Sequence, residues 1–226
     1  LFRENGMKFT GEDNYHKKHG VWKSSVLNQI DYMLTHGKFP ESKEIVIDPK
    51  TATIQELITI PEIGASAAAK LYDLGICSIT DLAKHPELLN RKQKLGLLYH
   101  KNLAKRIPRK EMDKWNNLVM EMADKLKIRL EIVGSYRRGV DSSGDIDIMI
   151  SDTNPQSMEL LIQLLVEKGY ILDEFVHGNK KFGGVAKIDK ICRKLDIAFY
   201  SPEQYPYALL HWTGSGDFNQ IIRAFA

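Results

Sequence analysis

Apolar residues recur every three or four positions from Trp22 to His36, with Val26, Ile30, Met33 and Leu34 on one side, which predicts a helix. Residues 1–20, LFRENGMKFTGEDNYHKKHG, are polar and aperiodic and read as irregular chain, and GKFPESKEIVIDPKT, with two prolines, reads as a connector. Residues 53–105 divide into short helices broken at Gly64, Gly75 and Pro86. IPRKEMDKWNNLVMEMADKL is an amphipathic helix opened by Pro108, with Met112, Trp115, Val119, Met122 and Leu126 on its apolar stripe. Beyond it the period falls to two. Ile128, Leu130 and Ile132 form one alternating set, Ile146, Ile148 and Ile150 a second, Leu195, Ile197 and Phe199 a third. The helix MELLIQLLVEKG lies between the last two sets. The fold class is therefore α+β: a helical first half, then a sheet backed by helices, with the boundary near Ile107.

Composition adds limits rather than detail. At 226 residues, 43% hydrophobic and 27% charged, the chain can bury a substantial core. A net charge of +3 is compatible with an anionic partner without requiring one. Cys77 and Cys192 lie far apart and in no metal-ligand spacing, which predicts a reducing compartment and no disulfide framework. No apolar run approaches the roughly 18 residues of a membrane span, and no secretory signal is visible. The chain starts at Leu1 and stops at Ala226 within the helical run FNQIIRAFA, so it reads as a fragment.

The chemistry concentrates in VGSYRRGVDSSGDIDIMI, residues 133–150. Residues two apart in a strand share a face, so Asp145 and Asp147 point together, away from Ile146, Ile148 and Ile150. In RKLDIAFY, Asp196 likewise opposes Leu195 and Ile197. If the two strands are neighbours, three carboxylates converge and raise one another's pKa unless a cation joins them. Hard divalent ions fit such oxygen ligands, Mg²⁺ above all where phosphates complete the shell. Taken alone, D-x-D equally describes the solvated face of an edge strand. The upstream residues favour the first reading. A Gly-Ser turn offers N–H groups and a hydroxyl to an anion, and Arg137, Arg138 and a Ser-Ser-Gly run add donors beside the acids.

At this point GSYRRGVDSSGDIDIMI, LAKRIPRKEM, RKLDIAF and HWTGSGDFNQIIRAFA, in this order, resemble the X family of DNA polymerases, its beta branch most of all. The resemblance runs from about Ile30 to Ala226. It implies that Asp145 and Asp147 bind two Mg²⁺ ions, for which Mn²⁺ can substitute. Asp196 would hold the catalytic ion near the primer terminus and accept the proton of the 3′-hydroxyl. Ser135 and Arg138 would grip the β and γ phosphates of a dNTP, with Ser143, Gly144 and Arg106 as further phosphate contacts. His211, Trp212 and Gly214 would line the sugar, while Asn219 and Arg223 would lie on a helix covering the nascent base pair.

TIPEIGASAAAKLYDLG resembles a helix-hairpin-helix motif, whose turn and second helix, here Gly64, Ser66 and Ala67, aim backbone N–H groups at a DNA phosphate. The family's monovalent cation, Na⁺ or K⁺, would take backbone carbonyls of Ile58, Ile60 and Ile63. An ordinary αα-hairpin packed through alanines is the alternative. Glu62 stands where the motif carries glycine, which would weaken the grip on the phosphate.

Other departures have consequences. NQIDYMLTHGKF resembles the end of the family's lyase domain, most of which would lie upstream, and its Schiff-base lysine falls on Gln29. An amide cannot form that adduct, so lyase activity is not expected. His211 and Trp212 replace a tyrosine and a phenylalanine. The tryptophan points to the template-independent and end-joining branch, whereas SYRRGVDSSGD and DFN point to the template-dependent one. The changed pair either loosens discrimination against ribonucleotides or compensates internally. Ala198 replaces a basic residue that takes part in the family's open-to-closed switch, and a carboxy-terminal segment completing the nascent base-pair pocket would be missing.

The expected organisation is a lyase-like remnant over 1–40 and a helix-hairpin-helix DNA-binding subdomain over 41–106. A nucleotidyltransferase-type α/β palm with a mixed or antiparallel sheet follows over 107–205, then the start of a nucleotide-binding subdomain over 206–226. The expected function is template-directed addition of dNMP to a primer in short gaps during DNA repair. A template-independent or end-joining transferase, and a non-catalytic scaffold binding DNA ends, are the alternatives. Expected partners are gapped or nicked DNA, dNTPs and repair scaffold proteins, with no membrane. A monomer is expected, nuclear if the source is eukaryotic.

Overall fold

The computed structural model describes residues 24–37 and 48–225. The chain divides into two compact units, 1–48 and 49–226. In the first, α1 (Ser24–His36) matches the helix predicted from the spacing. Gln29 lies on it, exposed.

The second unit opens with α2 (Pro49–Leu57), α3 (Ala65–Asp73), α4 (Ile79–Leu82), a 3₁₀ turn (Pro86–Leu88) and α5 (Arg91–Leu103). The breaks fall where the sequence places them: Gly64 caps α3, Gly75 takes a positive φ of 93°, and Pro86 opens the 3₁₀ turn. Leu57, Ile60, Ile63, Ala68, Leu71, Ile76, Leu82 and Leu89 form the core of this half. Asn90 and Gln93 close a capping box at the start of α5. That helix packs hard on the α2–α3 turn, because a Cβ on Gly96 would meet the Pro61 carbonyl at 2.1 Å.

Next come β1 (Ile107–Pro108), α6 (Arg109–Leu126), β2 (Arg129–Ile132), α7 (Gly134–Arg137), β3 (Ser142–Ser143) and β4 (Ile146–Ser151). They are followed by α8 (Ser157–Glu167), β5 (Ile171–His177), β6 (Lys181–Ala186) and β7 (Arg193–Tyr200). The five-stranded sheet has the order β2-β4-β7-β6-β5. β4 and β7 are parallel and every other pair antiparallel, so the sheet is mixed. α6 and α8 cover one face. Met112, Trp115, Val119 and Met122 meet Ile146, Ile148, Ile150, Leu195 and Ile197 in the main core. The β5–β6 hairpin adds two strands where the sequence pattern predicts only a helix between the second and third alternating sets.

Arg193 ties the two halves together. Its side chain, 3% exposed, pairs with Glu111 through Nε and Nη2, both at 2.7 Å. Nη1 donates to the Lys105 carbonyl at 2.9 Å, just past the end of α5. A guanidinium fork can serve both acceptors at once.

The chain then crosses the opposite sheet face as α9 (Tyr205–Thr213) and continues into α10 (Gly216–Phe225). Tyr205 and Ala208 bury against Val133 and Met149 in a smaller cluster. β4 is thus covered on both faces and flanked by strands on both sides. It is not an edge strand with a solvated acidic face.

Candidate active site

The parallel pairing of β4 with β7 sets Asp147 opposite Asp196. Asp145, just ahead of β4, shares the face of Asp147. One oxygen from each of the three carboxylates lies within 4.8 Å of the others. Two glycines make room for them. Gly134, at φ +57°, passes so close that a Cβ there would lie 2.1 Å from Asp147 Oδ2. Gly183, paired with Asp196 across β6 and β7, would bring a Cβ to 2.9 Å from Asp196 Oδ1.

Burial, with Asp145 and Asp196 adding repulsion, pushes the Asp147 carboxyl up to about 7 from the usual 3.8, against the pull of Lys194 and Arg138. Lys194 is a member that sequence reasoning missed. Its Nζ lies 2.6 Å from Asp196 Oδ2 and 3.8 Å from Asp145 Oδ2. Burial opposes its charge, but the carboxylates outweigh this and hold its pKa above the ordinary value. The signal was present in the sequence, since Lys194 and Asp196 are two apart in a strand. One ammonium faces three carboxylates, and the excess of hard oxygen donors suits a divalent cation such as Mg²⁺.

Anion donors border the acids. β2 turns into α7 at Gly134, which lies against Asp147; Ser135 follows it on α7, and Arg138 is near enough to pull the Asp147 pKa down. Arg106 folds over β3, its Nε donating to Ser142 Oγ at 3.2 Å and its Nη2 to the Ser142 carbonyl. A Cβ on Gly144 would lie 3.5 Å from Arg106 Nη1, so Arg106, Ser143 and Gly144 are neighbours. Among the described residues Ser143 Oγ is buried with no hydrogen-bond partner, a state that natural structures seldom leave unexplained.

The end of α9 closes this side. Arg138 Nη1 donates to the Thr213 carbonyl at 2.6 Å and would meet a Cβ on Gly214 at 3.1 Å. His211 is exposed, while Trp212 is half-buried and its indole N–H donates to Tyr200 Oη at 2.7 Å. On α10, Asn219 Nδ2 donates to the His211 carbonyl at 2.8 Å, and Arg223 Nε to the Asn219 carbonyl at 3.0 Å.

Residues 106–202, which include all three aspartates, match the family model described as DNA polymerase beta palm. Residues 55–104 match the fingers domain of DNA polymerase lambda. The chain belongs to the X family of DNA polymerases. It is 28% identical over 217 residues to a DNA polymerase lambda of Arabidopsis thaliana, covering 88% of this chain and 41% of that protein. It is 28% identical over 207 residues to the type-X family protein pol4 of Schizosaccharomyces pombe, covering 84% and 40%. A DNA nucleotidylexotransferase of Xenopus laevis is 23% identical over 241 residues, covering 87% and 48%. The chain thus spans less than half the length of these relatives.

In the X-family fingers segment, Gly64 is the extended N-cap of α3 and makes no side-chain cap, leaving the N–H groups around Ser66 and Ala67 at an open helix start. Glu62, two residues earlier, takes φ +67°. Ile60 and Ile63 are buried and Ile58 is exposed, and the Ile60 carbonyl accepts the Ile63 N–H at 3.1 Å. Ile60 and Ile63 belong to the helical core, whose residues are distinct from those of the acidic cluster. Among the described residues no helix is long and apolar enough to cross a membrane.

Proposed function

We propose that this chain carries the catalytic region of a template-directed DNA polymerase, one that adds dNMP to a primer 3′-hydroxyl in short gaps during DNA repair. The observation that carries the reading is the meeting of Asp145, Asp147 and Asp196 beside a rim of anion donors. Asp145 and Asp147 would hold two divalent ions and Asp196 one of them. Bound Mg²⁺ would supply Lewis acidity at the attacking hydroxyl and at the departing pyrophosphate.

The chain's own residues do the positioning. Ser135, Arg138, Arg106, Ser143 and Gly144 take the triphosphate, and the segment from His211 to Gly214 takes the sugar. The primer oxygen bonds to the α-phosphorus, the bond to the bridging oxygen breaks and pyrophosphate leaves. Asp196 accepts the hydroxyl proton, directly or through water. Lys194 offsets part of the repulsion among the acids before substrate arrives. The open start of α3 would hold a DNA phosphate without reading sequence. Na⁺ or K⁺ at the carbonyls of Ile58, Ile60 and Ile63 would join that grip. Gapped or nicked DNA, dNTPs and repair scaffold proteins are the partners of this reading. It takes the chain to act as a monomer, and the eukaryotic relatives support a nuclear location.

Extension of a one-nucleotide-gapped duplex by the full-length protein, with Mg²⁺ and each dNTP in turn, tests it. Templated addition is expected, with Asp196→Ala abolishing chemistry while DNA affinity stays near wild type. Extension of a single-stranded primer without template would favour a transferase instead. DNA binding with no Mg²⁺-dependent extension would leave only a scaffold.

A further inference from the structure

We propose that Tyr200 is a positioning residue for sugar selection, acting through Trp212. This deepens the polymerase reading and rests on it. Tyr200 ends β7, the strand that carries Asp196, and stands on the same sheet face. The two are four positions apart, about 13 Å along a strand. Ala198 stands between them, buried and too small to block the face. The backbone of Tyr200 is pinned, because it pairs with Ser151 of β4 and its carbonyl accepts the Asp152 N–H at 3.2 Å. The phenol ring is therefore mounted on the rigid part of the palm.

The partner is on the last turn of α9. The Trp212 indole can only donate, so its 2.7 Å contact makes the Tyr200 hydroxyl the acceptor. Both rings pack against the small cluster of Val133, Met149, Tyr205 and Ala208. The next residue is fixed from another direction, as Arg137 Nη1 donates to Thr213 Oγ1 at 3.1 Å and Arg138 Nη1 to its carbonyl at 2.6 Å. His211 is exposed, with its ring edge-on to Trp212 at 6.4 Å. Residues 211–214 are thus held at the indole by the strand bearing an active-site carboxylate, and at Thr213 by the phosphate-side arginines. The Tyr200 tether sets how far the sugar-facing segment can yield to an added 2′-hydroxyl.

The test uses full-length protein on a one-nucleotide gap opposite a templating G, with kcat/KM measured separately for dCTP and CTP. Tyr200→Phe keeps the ring and removes the acceptor. It is expected to lower the preference for dCTP about two- to tenfold, the range of one net hydrogen bond. Trp212→Phe removes the donor from the other side, and adding Tyr200→Phe to it is expected to change the preference no further. An unchanged preference in Tyr200→Phe overturns the proposal. So does an equal fall for both nucleotides, which would mark a merely structural role, or a full Tyr200→Phe effect in the Trp212→Phe background. If the wild type incorporates neither nucleotide, it is the polymerase reading that fails.

Discussion

Gly134 and Asp147 occupy space that only one side chain can fill: a Cβ on Gly134 would stand 2.1 Å from Asp147 Oδ2, and Gly134 has a φ of +57°. Gly134→Ala therefore meets both a left-handed backbone and a carboxylate that must move. The conformation costs roughly 1–2 kcal/mol before the clash is counted. A lower melting temperature and a weaker Mg²⁺ response are expected together, read by thermal unfolding across an Mg²⁺ titration. A variant with wild-type Mg²⁺ response would show that Asp147 need not stay where it is.

The acidic cluster should make metal-free stability depend on pH. Asp147 titrates near 7 when folded, against an ordinary 3.8. A raised folded pKa means that the folded state binds the proton more tightly. Its contribution is complete below about 3.8 and is lost as pH rises through 7, by at most about 1.4 kcal/mol per pH unit. With chelator present, stability should fall between pH 5 and 8, and Mg²⁺ should restore more at pH 8 than at pH 5.5. His177 contributes in the same direction, its pKa raised chiefly by the hydrogen bond to Glu159. Asp147→Asn separates the two, since it should flatten most of the slope and leave the His177 part.

The Arg193–Glu111 pair should govern the stability of the junction rather than the chemistry. Arg193→Ala strands a partly buried carboxylate and removes the donor to the Lys105 carbonyl. Breaking one side of such a pair costs about 3–5 kcal/mol. Urea unfolding should show a correspondingly lower midpoint. Arg193→Lys should recover only part of it, because an ammonium cannot reproduce the two-pronged contact.

Glu62 presents the opposite case, a side chain where the backbone favours none. At φ +67°, replacement by glycine relieves strain but loosens the unfolded chain, for a net gain of up to about 1 kcal/mol. Glu62→Gly should also tighten gapped-DNA binding if the α3 start holds a phosphate. Glu62→Gln isolates the charge. Anisotropy titrations at one fixed salt concentration should rank the affinities as Gly and Gln above Glu.

The acidic site was legible because its residues sit in, or directly before, strands with a clean alternation. Ile146, Ile148 and Ile150 declared one face of β4, Leu195 and Ile197 one face of β7, and the acids fell on the other. The β5–β6 hairpin escaped notice for the converse reason. ILDEFVH is half-buried along much of its length and broken by register shifts, and KFGGVA contains two glycines, so neither shows a period. The capping box of Asn90 and Gln93 was readable as a pattern and was overlooked.

Local order along the chain was enough to assign helices, the acid-bearing strands and the Gly134-Ser135 turn with Arg138 close behind it, since each follows from side-chain period or turn chemistry within a few residues. Arg106 and Glu62 were marked by the family resemblance instead. Which strands become neighbours is another matter, since 49 positions separate Asp147 from Asp196 and no local pattern spans them. Packing of the apolar face under α6 and α8 resolved it, by making β4 and β7 adjacent and parallel. The same packing brought Lys194 to Asp145, buried Ser143 Oγ without a hydrogen-bond partner among the described residues, and set Tyr200 against Trp212. Such contacts exist only once separate elements share one core.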